Sequence, residues 1–426
     1  MKSLNGLIGV ILVALLFATS ALAGNARYTM GASLTNYDNI KLVPDPLDSE
    51  LAKSIIGTAQ LTEDDVNLLL NLTARLQVIK YTNGQAEDRN RSQLVADTLW
   101  KIRPEHFEWY LADTFSQTAI DSFSAAAPSN EQNANVLITG PNYILRINSR
   151  NNLRFEARIA NNSYDNTADN SQLKGASRWL YDINSALRMS VNYESTKVKY
   201  DKDTNILNYN RSDAFFSLDY KKGLILYKIE TGTTKIDYDR IGGTDVPRYL
   251  FAIESQRTRT SSLKLNLSRK LTDTASQLTY SSAVDLVNNP LLTTSNDTFV
   301  KDSVNLDFTE KTTFGNYWLS LNHTEDSYTI RKTLDRDINS ISFVNTWSLR
   351  RSSNLAFKAY YFNTKYADPT LDREDKDYRY SLYYNYRAKR SLNLRFGVES
   401  IKRESTVVDQ GYENLLILIG LEHIFQ

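Results

Sequence analysis

The chain reads as all-β, a transmembrane antiparallel β-barrel of the outer-membrane kind with about twenty strands. Three observations predict this. Apolar and charged residues alternate along most of the 426 residues. Polar breaks, short and long by turns, separate the alternating segments. The amino terminus carries the parts of a secretory signal. Successive side chains of a strand point to opposite faces, so an alternating segment has one greasy side and one wet side.

At the amino terminus, Lys2 supplies a short positive region and Leu7 to Ala18 an apolar run. Ala21, Leu22 and Ala23 form an A-x-A-like cleavage site. The run falls short of the about 20 residues a membrane helix needs. The expectation is a cleaved signal peptide over 1–23, with 24–426 forming a single barrel domain exported to the outer membrane. The chain has no cysteine, which excludes a lipoprotein anchor, disulfides, iron–sulfur clusters and thiolate zinc sites.

Mean hydropathy is −0.43, a value that also suits a soluble protein. A barrel hides its hydrophobicity in alternation, so the mean misses it. The 26 tyrosines fit the interfacial girdles of such barrels. A net charge of +1 gives no electrostatic case for nucleic acid.

Within the chain, Leu153, Phe155, Ala157 and Ile159 oppose Arg154, Glu156 and Arg158. Leu187, Met189, Val191 and Tyr193 oppose Arg188, Ser190, Asn192 and Glu194. Tyr378, Tyr380, Leu382, Tyr384 and Tyr386 oppose Arg379, Ser381 and Asn385, and Leu392, Leu394, Phe396 and Val398 oppose Asn393, Arg395 and Glu399. The final segment sets Leu415, Ile417, Ile419, Leu421 and Phe425 on one face, although Leu416, Leu418 and Ile424 spoil the other. A soluble sandwich accounts for one such strand; recurrence in segments of about ten residues is the barrel signature.

The breaks predict topology. Short ones fall at Thr62–Asp65, Arg103–Glu105, Ser149–Asn151, Asp182, Lys221–Lys222, Lys270–Asp273, Glu310–Phe314, Arg351–Ser352 and Ala388–Lys389. Ten longer polar ones lie between them, including Tyr37–Ser49, Asp237–Thr244 and Asn288–Asn296. Short periplasmic turns and longer external loops give twenty strands with both ends in the periplasm. This count reads Val246–Leu271 as one overlong strand; other merges give sixteen to eighteen. External loops are rich in Asp and Asn, whereas several turns are basic, among them Arg350–Arg351 and Arg387–Arg390.

One stretch resembles a family. Phe107, Trp109, Asp113, Gln117, Asp121, Pro128, Asn130, Gln132, Asn135, Gly140 and Pro141 follow in order. Upstream, Leu34 to Ile40 holds an Asp38-Asn39 pair after an opening strand. Together they are similar to the β-barrel porins of exopolysaccharide clusters, the EpsL-like and PEP-CTERM-associated outer-membrane proteins. The likeness covers about Thr35 to Pro141. It implies passage of an exopolysaccharide across the outer membrane, with lipids, the polymer, periplasmic polysaccharide-export proteins and the barrel-assembly machinery as partners. It brings no residue assignments. Gly140-Pro141 is expected to start a strand, where proline costs no ladder bond, and Asn130 to Asn135 to order an external loop.

A barrel this wide holds water unless plugged. The residues expected to face the lumen and contact a polymer are Arg154, Glu156, Arg158, Arg188, Glu194, Lys264, Lys358, Tyr360, Arg379, Tyr383, Arg395 and Glu399. Asp219, Glu230 and Asp307 join them on the inner face. The alternative is that these charges pair across strands and hydrate a passive porin; a surface adhesin or structural barrel is a further alternative. No enzyme, cofactor or metal is expected. The three histidines, His106, His323 and His423, come without a recognisable catalytic or metal motif and read as interface or lumen side chains.

Overall fold

The computed structural model describes residues 25–46, 48–121, 124, 125, 127–201, 207–273, 297–368 and 372–425. The expected signal peptide lies outside them. Twenty strands follow in chain order. The first ten are β1 (Asn25–Tyr37), β2 (Glu50–Asp64), β3 (Leu68–Tyr81), β4 (Arg89–Arg103), β5 (Phe107–Ala119), β6 (Glu131–Arg146), β7 (Asn151–Tyr164), β8 (Asn170–Asn184), β9 (Leu187–Tyr200) and β10 (Tyr209–Lys222). Then come β11 (Ile225–Tyr238), β12 (Gly242–Gln256), β13 (Ser261–Thr272), β14 (Phe299–Lys311), β15 (Gly315–Tyr328), β16 (Arg336–Arg350), β17 (Ser353–Tyr366), β18 (Glu374–Lys389), β19 (Leu392–Ser405) and β20 (Tyr412–Phe425).

Each strand pairs antiparallel with its sequence neighbours. The sheet closes because β1 pairs with β20 as well as β2, Tyr28 opposite Phe425 and Tyr37 opposite Leu416. Closure leaves no open edge, so the ladder satisfies the backbone groups that lipid cannot. The alternation sorts the two faces as expected. Ile159, Leu173, Val191 and Ile419 stand exposed outside, while Arg158, Lys174, Asn192 and Glu399 point inward.

Turns of two to four residues join strands at one end. Short polar side chains hold several of them. Asn148 Oδ1 accepts the backbone N–H of Arg150 and Asn151 at 2.9 and 3.0 Å. Thr312 Oγ1 accepts those of Phe314 and Gly315 at 3.2 and 3.1 Å. The opposite end carries the longer loops, the external end by the rule of outer-membrane barrels.

The structure departs from the expected topology at several places. Val246–Leu271 is not one strand but parts of β12 and β13, divided by a turn at 257–260. That turn has no glycine or proline; Thr258 Oγ1 accepts the Thr260 N–H at 3.2 Å, a hydroxyl turn hidden in a β-favouring sequence. Of Lys270–Asp273, expected to be a turn, Lys270 to Thr272 instead end β13 and Asp273 follows it. The stretch 274–287, counted as a strand from sequence, lies outside the described residues; among the described residues the strands number twenty, with Val246–Leu271 contributing to two of them. The turn expected at Asp182 falls at 185–186, and the loop expected over Asp237–Thr244 shrinks to 239–241.

Gly140-Pro141 sits in the middle of β6 rather than at a strand start. The β6–β7 register passes from Thr139 opposite Ile159 to Asn142 opposite Glu156, leaving Gly140 and Pro141 unpaired on that side. Gly140 has φ +154°, and a side chain there would collide with the Ala157 carbonyl. Proline is thus tolerated because the ladder is already interrupted. Pro247 follows the same logic, since β12 pairs with β13 only from Tyr249 onward.

Three side chains fasten the external end. Asn39, 2% exposed, takes a bond from the Val43 N–H and donates to the Val43 and Glu413 carbonyls at 2.6 and 2.9 Å. Its own N–H reaches Asn414 Oδ1 at 2.9 Å, tying the first loop to the last strand. Glu50, fully buried, accepts the N–H groups of Thr82, Asn83 and Gln85 at 2.7–2.8 Å and so pins the β3–β4 loop. Asn130 accepts the Asp121 N–H and donates to the Asp121 and Ala125 carbonyls.

Candidate conduit through the barrel

Three adjoining cavities run along the side of the barrel formed by β1–β5 and β16–β20. The first, about 830 Å³, is lined by β1, β2, β3 and β16–β20 toward the turn end. The second, about 140 Å³, lies farther out between Tyr37, Arg89, Pro128, Tyr360, Arg379 and Arg403. The third, about 740 Å³, opens among the external loops beside Lys41, Gln85 and Asp88. Arg91 lines all three and so marks the waist of the series. Its guanidinium is held by Glu131 at 2.5 Å, which also takes Arg89 at 2.9 Å.

The residues expected from sequence to face the lumen fall into separate groups. On β5–β9 the charges form a lattice across strands. Arg154 meets Glu156 at 2.9 Å, and Glu194 takes Arg178 at 3.0 Å and Lys174 at 2.7 Å. Arg158 is committed to the backbone. It donates to the carbonyls of Pro141 and Ala157, both at 2.8 Å, and to the Asn142 side chain, bridging the gap in the β6–β7 ladder. Arg188 pairs with Asp182 at 2.5 Å near the turn end, and Lys264 pairs with Glu254 at 3.1 Å. None of these lines the cavity series.

The second group does. Tyr383, Arg395 and Glu399 line the large cavity, and Tyr360 and Arg379 the waist. Tyr383 donates its hydroxyl to Glu399 at 2.8 Å, and Arg379 meets Glu399 at 3.3 Å. The Tyr383 ring has Arg395 on it at 5.7 Å and Lys358 at 5.9 Å, a placement that favours cations over an aromatic face. Arg395 Nε donates to Asn385 Oδ1 at 2.9 Å. The apolar residues that spoiled the alternation of β20, Leu416 and Leu418, form part of the cavity wall.

Sequence reasoning missed an aromatic collar. Many tyrosines are not in outward girdles but close the external end of the lumen. Tyr164, Tyr209, Tyr238, Phe299, Tyr328, Tyr366 and Tyr412 are all buried, each at or beside the outer terminus of its strand on the inward face. Phe299 and Tyr328 stack with centroids 4.8 Å apart, and Tyr209 meets Tyr238 edge-on at 5.8 Å. Tyr209 and Tyr238 pack with Val198, Ile236, Val246 and Leu271 in one cluster inside the barrel. The signal was available, since strands β1, β7, β9 and β11 all end in Tyr followed by Asp. Outward girdles exist too, as at the Trp100–Trp109 pair and the stacked Tyr220 and Tyr227.

The histidines are placed outside the conduit. His323 faces outward with Nδ1 2.9 Å from Asn339 Oδ1, and His423 packs against Phe425.

Solved structures share this architecture. The FrpB iron transporter of Neisseria meningitidis aligns in its F5-1 variant with TM-score 0.51, covering 95% of this chain and 83% of that one at 7% identity. The F3-3 variant aligns with TM-score 0.50 at 8% identity, covering 96% and 83%. The fold is that of outer-membrane β-barrels. No protein-family model and no curated protein matches the chain in sequence.

Proposed function

We propose that this chain sits in the outer membrane as a conduit for an exopolysaccharide, working beside periplasmic polysaccharide-export proteins and inserted by the barrel-assembly machinery. The observation that carries a conduit is the series of cavities meeting at Arg91 within a closed barrel. A greasy outer face and a wet inner face support residence in a bilayer. The polymer as cargo rests on the resemblance over Thr35 to Pro141. Tyrosine and arginine along the path suit a carbohydrate, whose ring faces pack on aromatic surfaces and whose hydroxyls and acidic groups take guanidinium bonds. No catalytic role belongs to this reading.

The test is deletion of the gene in the producing bacterium, with restoration free of effects on neighbouring genes. Polymer lost from the surface and accumulating in the periplasm supports the conduit. Unchanged surface polymer overturns it. A passive porin is the second reading, favoured by the β5–β9 lattice, where lumen charges are already consumed by one another.

A further inference from the structure

The large cavity is unevenly charged. Its wall carries six arginines against two glutamates, Glu399 and Glu422, and neither lysine nor aspartate. Arg91 is paired with Glu131, and Glu399 with Arg379. Glu422 is held by Asn393 Nδ2 at 3.2 Å. Among the described residues, Arg75, Arg350, Arg351, Arg387 and Arg395 have no carboxylate within ion-pair distance, yet all five line this one space. This differs from the lattice on β5–β9, where Glu108, Glu156 and Glu194 each have an arginine or lysine within ion-pair distance.

We propose that this cavity is a polyanion-binding vestibule and that the polymer it admits is an acidic polysaccharide bearing carboxylates along its length. The proposal rests on the conduit reading and names its substrate class. Guanidinium groups match carboxylates with two parallel hydrogen bonds. The unpaired arginines are spread rather than gathered at one point. Arg350, Arg351 and Arg387 belong to the turn end of β16–β18, Arg395 lies farther along β19, and Arg75 is on β3 across the seam. A run of separated cations suits a chain of repeating charges better than a single small anion. The polarity has a direction as well. The basic turns noted in the sequence border the cavity, whereas the outer loops hold Asp38, Asp45 and Asp165. Like-charge repulsion there keeps a polyanion from being retained at the exit.

The experiment uses the full-length protein in detergent, titrated with a defined oligogalacturonate and, separately, a neutral dextrin of equal length and citrate. The expected result is binding of the acidic oligomer alone. The Arg75→Gln and Arg395→Gln variants each weaken it about tenfold, the scale of one charge-assisted contact, while keeping the heat-dependent gel shift of a folded barrel. Equal binding of dextrin, equal binding of citrate, or affinity unchanged in both variants overturns the proposal. Planar-bilayer recordings of the same preparation separate the two readings. Binding without conductance leaves the vestibule standing and counts against the conduit; conductance without acidic-oligomer binding does the reverse.

Discussion

The ring of Tyr383 lies across the bare α-carbon of Gly397, its partner in the β18–β19 ladder. A methyl group at Gly397 would occupy the space of the ring itself. The pairing fixes an aromatic plane against the cavity wall, with Arg395 and Lys358 above it and Glu399 at its hydroxyl.

Gly397→Ala is therefore expected to displace Tyr383 without unfolding the barrel, since overpacking of this kind costs about 1–3 kcal/mol. Single-channel conductance should depart from that of the wild type. Tyr383→Phe, which removes only the bond to Glu399, should leave conductance near the wild-type value. Equal effects from both would show that the hydroxyl, not the ring position, matters.

Arg158 and Arg188 face the same lumen but should respond differently to truncation. Arg158 bridges a gap in the backbone ladder, so Arg158→Ala strips bonds from two carbonyls where the β6–β7 pairing is interrupted and should cost about 2 kcal/mol or more. Arg188 is in a half-exposed pair with Asp182, so Arg188→Ala should cost under about 1 kcal/mol. Urea unfolding of detergent-solubilised protein ranks them, and a reversed order would refute the bridging role.

Tyr209→Ala and Tyr238→Ala open space in the aromatic collar. Each is expected to raise single-channel conductance while destabilising the barrel by about 3–5 kcal/mol at most, the range for large-to-small core changes. Unchanged conductance would mean the collar lies off the permeation path.

Asn39→Ala removes the side-chain bonds to the Glu413 carbonyl on the last strand and to Val43, while the backbone N–H at position 39 still reaches Asn414. It should lower the temperature at which the folded band disappears on a gel, by the loss of bonds each contributing about 1 kcal/mol. Asn414→Ala should do the same, and the double variant should be little worse than either, because both remove parts of one network.

Period-two alternation made β7, β9, β18 and β19 legible from sequence, and with them the inward placement of Arg154, Arg379 and Glu399. Alternation says which face a side chain takes but not which neighbour it meets, because the stagger of twenty strands is set by closure. Hence nothing local told Arg158, spent on the Pro141 carbonyl, from Arg395, which lines a cavity. The turn at 257–260 was hidden because threonine serves both strands and hydroxyl turns. The collar was hidden because a tyrosine at a strand end fits a lipid girdle as well as an inner rim; its strand parity, Tyr164 with Asn162 and Arg158, was the readable distinction.

The bond between Asn39 and Asn414 joins positions 375 residues apart. Every other pairing in the sheet follows its predecessor along the chain and can form as soon as a hairpin is made. Bringing the two ends of the ribbon together instead carries a loop-closure entropy of about 5 kcal/mol. The species before that event is a curled sheet with two unsatisfied margins, the form most exposed to association with another copy. Time to reach the membrane intact is thus governed by one late zipping step, and substitutions at the β1–β20 junction should slow assembly more than equal losses of stability anywhere else on the wall.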